Sequence, residues 1–358
     1  MANNINFFDT YYMAGMVEEI VPETTFFRDR YFNETEEFST EKVLVEYMDG
    51  DRKMAPFVDP RAGDIPVERE GYELYEFTAP MIAPSRVLTI DDLTKRGFGE
   101  AIYANSTAAE RARRLQVRDL SDLTRRIVRR EEWMAAQTMI NNGVTIQEYI
   151  DAATTGRSLP IYFYDTTKSN PGIYTVSGGG WSTFAAMQAD VEAMCDELAE
   201  SDLPAADLIL GSTAWATVKQ FSDLQNLLDK RHEYIGDLES RIVAPGVTHV
   251  GALDFNGYML NIFVPKQRYK GDDGNMASFF PATSALVTAP GCGKRFYGGI
   301  TQIPYGSDEL ETFVGQRIPK LIVDQEKDIR KLRLASRVVT APKNKAPWRY
   351  AASVVSGT

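Results

Sequence analysis

Apolar and polar positions recur with different periods along the chain, and those periods lay out the elements. Leu120, Leu123, Ile127 and Met134 are spaced 3, 4 and 7 apart, the narrow apolar stripe of one long helix over residues 107–141. Thr107-Ala-Ala-Glu110 has the capping-box pattern at its start, and Asn142-Gly143 is a stop. Phe184, Met187, Val191, Met194/Cys195 and Leu198 alternate by three and four, which predicts a second amphipathic helix. Leu208-Ile-Leu210 then reads as a buried strand and residues 212–221 as a helix. Residues 247–253 and 258–264 flank Phe255-Asn256-Gly257, a hairpin signal. Ser177-Gly-Gly-Gly180 punctuates the chain, so residues 181–300 are expected to form a compact α+β unit of domain size.

The ends have less internal logic. Residues 1–40 carry aromatic pairs (Phe7-Phe8, Tyr11-Tyr12, Phe26-Phe27, Tyr31-Phe32) between acids, with room for a brief helix at 11–20. Such rings cannot bury one another within a short arm, so they need another surface. Lys42-Val-Leu-Val-Glu-Tyr-Met48 and Lys53-Met-Ala-Pro-Phe-Val58 flank Asp49-Gly50, predicting a hairpin. Tyr72-Glu-Leu-Tyr-Glu-Phe77 has the alternation of a half-covered strand. Pro56, Pro60, Pro66, Pro80 and Pro84 keep residues 41–90 out of a central sheet. Such a stretch is too long for a loop within a compact domain. Folded once it reaches ~60 Å at ~3.3 Å per residue. Short strands at 144–149 and 160–164 precede the glycine run, and more follow at 321–323, 337–340 and 348–355. The economical arrangement has the tail completing the sheet begun near 144–164, with 181–300 inserted.

Charge sharpens this picture. The chain has 358 residues, 44% hydrophobic and 25% charged, with net charge −11. That is ordinary globular composition, and its sign argues against duplex DNA binding by bulk charge. Residues 317–358 hold ten Lys/Arg against three acids, whereas residues 1–40 hold eight acids and two bases. Ends of opposite sign suit head-to-tail contacts between copies. Eight arginines, Arg111, Arg113, Arg114, Arg118, Arg125, Arg126, Arg129 and Arg130, cover the outer faces of the long helix. Glu110, Asp119, Asp122, Glu131 and Glu132 are interleaved with them and no aromatic platform accompanies them. Salt bridging between helices or subunits therefore explains them better than nucleic-acid readout. No run approaches the ~18 apolar residues of a membrane helix. No base precedes Arg28, so neither a secretory signal nor a transit peptide fits and a soluble chain is expected.

The search for chemistry finds none. Two cysteines exclude a disulfide-stapled scaffold and a four-thiolate zinc site, and His232 and His249 are too few for a three-histidine site. Gly97-Phe-Gly99 begins like a dinucleotide loop, but Ile102 stands at the third glycine position. Gly291-Cys-Gly-Lys294 ends like a phosphate loop, but Arg295 replaces the required hydroxyl residue and Thr288 the first glycine. Cys195 lies on an apolar stripe, and Cys292, between glycines, has no nucleophile signature around it. The acid pairs Glu36-Glu37 and Asp91-Asp92 have nothing to divide acid from base roles between them. Neither catalysis nor a cofactor is expected. A projecting arm, a projecting β-loop and a long helix suit contact with further copies of the same chain.

Arg28-Asp-Arg-Tyr-Phe32, Glu37-Phe-Ser-Thr-Glu-Lys-Val43, Met54-Ala-Pro-Phe-Val58, Gly71 and Phe77-Thr-Ala-Pro-Met-Ile-Ala-Pro84 resemble, in this order, the lambda-like (protein E) family of tailed-phage major capsid proteins. The similarity continues through the arginine-rich helix to Asp324–Ala335 and Trp348–Val355. It implies an α+β, Hong Kong 97-type capsid fold. Residues 1–40 would be the N-terminal arm and 41–90 the extended β-loop lying over a neighbour. Residues 91–176, with the spine helix 107–141, would form the peripheral domain. Residues 177–300 would be the inserted axial domain, and 301–358 return strands completing the peripheral one. Hexamers and pentamers would close an icosahedral shell around double-stranded DNA, with no sequence-specific DNA contact and no membrane. A scaffolding protein, a decoration protein and the portal are the implied partners, and the host cytoplasm the site of assembly. Lys42 and Lys53 do not lead to an expectation of covalent crosslinking. The inter-subunit contacts expected are Phe57, Tyr72, Tyr75 and Phe77 on the loop and Arg125, Arg126, Arg129 and Arg130 on the helix. An encapsulin-like cargo shell and a soluble oligomeric enzyme are the rival readings.

Overall fold

Three helices meet along one line in the computed structural model, which describes residues 10–20, 23–48, 72–89, 92, 108–150, 154–224, 236–237, 240–324, 326 and 329–355. They are α1 (Thr10–Glu19), α2 (Phe27–Tyr31) and the 34-residue α3 (Ala108–Asn141). Leu120, Leu123, Ile127 and Met134 are buried as their spacing predicts, but so are Ala135, Ala136 and Met139. The buried face widens because different partners cover its two halves. Met13 and Val17 of α1, with Leu321, Leu332 and Leu334, close over the first half. Phe26, Phe27, Tyr31 and Phe32 close over the second. Each such side chain contributes ~1.5–3 kcal/mol on burial. The helix stops at Asn142, whose φ of 49° lies in the left-handed region.

Two sheets flank this line. In the first, Glu34–Glu37, Gly293–Tyr297, Ile329–Pro342 and Ile318–Asp324 lie in that order, and Met81–Ile82 and Ser85–Leu88 also pair with the long 329–342 strand. In the second the order is Gly236–Asp237, Val247–Phe255, Tyr258–Pro265, Asp207–Leu210, Ala285–Thr288, Trp348–Ala351 and Ile173–Tyr174, with Arg241–Ala244 also on the 247–255 strand. Helices α4 (Phe184–Glu200) and α5 (Ser212–Val218) share a core with it, built from Met187, Val191, Met194, Leu198, Trp215 and Leu260 among others. The expected hairpin turns through Asn256 (φ 50°) and Gly257 (φ 99°), the two successive positive φ values that a tight two-residue turn needs.

Three expectations change. The tail does not complete the sheet begun near 144–164: among the described residues Gly143–Tyr149 pairs only with Thr155–Tyr162. The tail divides instead, its strands 318–324 and 329–342 entering the first sheet and Trp348–Ala351 the second, between Ala285–Thr288 and Ile173–Tyr174. Lys42–Met48 pairs with Tyr72–Thr78. Residues 53–58, the partner expected for it, lie outside the described residues. The acidic arm and the basic tail also meet inside one chain, where the Lys343 ammonium lies 2.6 Å from Glu34. Beside this pair Lys294 lies 2.6 Å from Glu36 and Arg337 2.9 Å from Glu41.

Candidate inter-subunit contact surfaces

The arm is fastened to its own chain. The backbone N–H groups of Phe26, Phe27 and Arg28 at the start of α2 all donate to Glu132 of α3, at 3.0, 3.0 and 2.7 Å. A short helix thus has its orphan donors satisfied by a carboxylate from another helix. Burial nonetheless holds the Glu132 carboxyl above its ordinary range. The Arg30 guanidinium grips Asp207 at 2.6 and 2.8 Å, and the Tyr31 hydroxyl donates to Asp207 at 3.0 Å. Burial and the Asp207 charge push the Tyr31 phenol well up. Beside them Glu131, fully buried, accepts from the Tyr297 hydroxyl at 3.1 Å and faces Arg28 at 2.8 Å and Arg317 at 3.6 Å. Charge pairs this deep hold geometry, because removing one partner strands the other. The sequence signal for Glu131 was its place four after Ile127 and three before Met134, inside the apolar stripe.

The two-stranded ribbon of Lys42–Met48 and Tyr72–Thr78 is the first outward surface. Its inner face, Val43, Val45, Tyr47 and Phe77, packs on Val144, Ile161, Phe163, Phe296 and Val339. Phe77 meets Phe163 edge-on at 5.1 Å, and Tyr75 stacks on Phe77 at 6.1 Å. Of the aromatics expected to face a neighbour, Phe77 is therefore buried and Tyr75 half-buried in their own chain. Tyr72 lies opposite Met48 in register, and Phe57 lies outside the described residues. What the ribbon offers outward is Leu44 (49% exposed) and Leu74 (53% exposed), with an ion pair between Lys42 and Glu76 at 3.1 Å.

The second surface is a groove of about 690 Å³ along α3. It unites Arg125, Arg126, Arg129 and Arg130 with Trp133, Tyr269, Lys270 and Asp272. Arg125 pairs with Glu23 at 2.9 Å, Arg126 reaches Asp122 at 3.8 Å, and Arg130 pairs with Asp272 while its guanidinium lies 5.4 Å from the Trp133 ring. Arg129, exposed, has no hydrogen bond or ion pair among the described residues. The groove lining keeps a positive surplus after these pairings.

Positions considered for chemistry serve packing. A Cβ at Gly293 would stand 2.3 Å from the Phe32 ring, so this glycine lets an arm aromatic lie against the strand. The half-buried Cys292 thiol is pushed up to about 12 by burial, as is buried Cys195. A thiol held protonated is a poor nucleophile. His249 lies in a strand, 4.9 Å from Phe263, and His232 falls outside the described residues. Among the described residues no cluster of His, Cys, Asp and Glu could hold a metal ion, and no helix is long and apolar enough to cross a membrane.

A chain whose arm is pinned by buried charge, and whose ribbon and long helix offer apolar and cationic faces outward, has the architecture of the shell-forming Hong Kong 97-type capsid subunits. A structure from Escherichia coli CFT073 described as a prophage capsid protein superposes with a TM-score of 0.62 at 16% identity, covering 96% of this chain and 99% of that one. A phage-related protein from Bordetella bronchiseptica gives 0.51 at 9% identity, covering 97% of each. Residues 9–351 match the model of the phage major capsid protein E family, and the chain belongs to that family. The major capsid protein of enterobacteria phage P21 is 26% identical over 310 residues, 82% of this chain and 84% of that protein. The major capsid protein of Escherichia phage lambda is 24% identical over 279 residues, 75% and 77% of the two. This is a phage major capsid protein, a structural component of the virion shell and not an enzyme.

Proposed function

We propose that copies of this chain assemble as hexamers and pentamers into an icosahedral shell enclosing the phage double-stranded DNA. Residues 91–176 and 301–358 act as the peripheral domain and 177–300 as the axial domain around the capsomer centre. The strand Trp348–Ala351, shared with the axial sheet, ties the two together. The ribbon and the segment 49–71 that it carries lie over a neighbour. The arginine groove of α3 receives an acidic segment of an adjacent copy. A scaffolding protein during assembly in the host cytoplasm, then a decoration protein and the portal, are the other partners. DNA is enclosed without sequence readout, in keeping with a chain of net charge −11.

The observation that carries this reading is the ribbon, whose root is locked in its own core while Leu44 and Leu74 stay half-exposed on the far side. Two exposed leucines set diagonally on one face of a ribbon mark a contact surface. Contacts of this clasping kind belong to the obligate class, ~2,000 Å² or more. The test replaces residues 49–71 with a short glycine-containing turn. The variant is expected to keep the wild-type circular dichroism and melting profile and to form no closed shells in negative-stain images. Closed shells at wild-type yield would overturn the role given to this segment. Shells filled with enzyme cargo rather than DNA in infected cells would favour the cargo-shell reading.

A further inference from the structure

We propose that the acidic, apolar hairpin at 300–313 of one copy seats on the cationic face of strands Ser85–Leu88, Ile318–Asp324 and Ile329–Pro342 of a neighbouring copy. The proposal rests on the shell reading and names one contact within it. Side chains alternate across a strand. Leu332 and Leu334 pack with α1 and α3, so Lys331 and Arg333 belong to the opposite face. In register with them stand Ile322 and Val87 beside Lys331, and Lys320 and Ser85 beside Arg333. Lys320 and Arg333 are thus like charges directly opposite on adjacent strands, an arrangement that destabilises a sheet unless something answers it.

Among the described residues the same chain answers it with an amide and with no acid. Among the described residues no carboxylate pairs with Lys320, Lys331 or Arg333. The one hydrogen bond from Arg333 runs to the Gln302 side-chain oxygen at 3.0 Å, and its Nε is buried without a partner. Burial and Arg333 hold the Lys320 ammonium below its ordinary value, and burial does the same to Arg333. Val87 and Ile322 remain exposed on either side of Lys331.

The hairpin formed by Ile300–Gln302 and Glu311–Phe313 has the matching character. Residues 298–316 contain Asp308, Glu309 and Glu311 and no Lys or Arg. Leu310 is 71% exposed, and Tyr305 and Val314 are exposed too. Asp308 and Glu309 pair with no cation among the described residues. The root of the hairpin packs on its own chain at one end of this face, Ile300 and Phe313 with Ile318 and Ala335. The acidic tip at 308–311 and the open end around Lys331 are separate surfaces, so contact between copies is heterologous, the kind that closes rings or extends lattices.

The experiment reverses charge on each side. D308K/E309K and K320E/K331E are each expected to lower shell yield about tenfold, and the two combined in one chain to restore it to within about twofold. Circular dichroism confirms folding. Because Lys320 is half-buried, a second readout uses wild-type shells assembled from mixed light and heavy-nitrogen chains and treated with a carbodiimide. Crosslinks joining Asp308 or Glu309 of one isotope to Lys320 or Lys331 of the other support the contact. Only same-isotope crosslinks, or reversals without effect, or a combined variant that fails to recover, overturn it. A wild-type chain that forms no shell fails the underlying reading instead, so the two failures are distinct.

Discussion

The arm at 23–37 and the ribbon of Lys42–Met48 and Tyr72–Thr78 look alike as sequence, both acidic segments studded with aromatics. In the folded chain they part. Phe26, Phe27, Tyr31 and Phe32 are buried in their own core, seamed to α3 and to the second sheet. The ribbon buries one face, including Phe77, and leaves Leu44 and Leu74 out. Aromatic density therefore says that a segment must be covered, but not by whose atoms. The arm contributes to the stability of the subunit, and the ribbon's outer face to its association.

The largest expected effect tests the arm's half of that contrast. Phe27→Ala removes a fully buried ring that stacks near Phe280 at 6.2 Å, and should cost about 3–5 kcal/mol in chemical denaturation of the unassembled chain. A loss under about 1 kcal/mol would mean that the arm aromatics are covered by another copy instead. Glu132→Gln comes next. It keeps the shape but puts an amide where two acceptor oxygens serve three N–H groups, and should cost about 1–3 kcal/mol. Unchanged stability would show that α2 is not fastened this way.

Leu74→Asp tests the ribbon's half and should move the unassembled chain by no more than about 0.5 kcal/mol. Its effect should appear in assembly, as loss of closed shells in sedimentation profiles. A destabilised monomer with intact assembly would reverse the comparison.

Most secondary structure was legible from the chain's own periods. The 3, 4, 7 stripe found α3, and Asn256-Gly257 found its hairpin because few other residues tolerate two positive φ values in succession. What periodicity does not carry is partner choice. Nothing in the apolar pattern of Trp348–Ala351 names the sheet it joins, since the pattern records that the strand is covered and not by which neighbours. Likewise Asp49-Gly50 signals a turn but not that Lys42–Met48 would pair with a strand more than twenty residues on. At the contact surfaces, the arginines of α3 were identifiable and do gather in one groove. Glu131 and Glu132 were read only as members of a salt-bridging set between helices or subunits, and the pattern did not show that they are the buried anchors of the arm. The cationic sheet face was hidden because Lys320, Lys331 and Arg333 become neighbours only through register.

The smallest effect concerns the edge where arm and tail meet. Strand Glu34–Glu37 is wholly exposed and has, among the described residues, a single strand partner, Gly293–Tyr297, with ion pairs from Glu34 and Glu36 beside the ladder. The hydrogen bond from Lys343, and then the Lys343 and Lys294 charges, hold the Glu34 carboxyl below its ordinary value of 4.5. A depressed folded pKa means that this contribution is complete above about pH 4.5 and is lost as pH falls through the lower folded value. Hydrogen exchange corrected for intrinsic rate should therefore show residues 34–37 losing protection between pH 6 and pH 3, while the backbone of α3 keeps its own. Glu34→Gln should flatten that dependence, since it leaves no charge to titrate at this position. Protection that stays constant in the wild type across that range would mean that the ladder alone holds the strand and that the opposite charges of the two ends are incidental there.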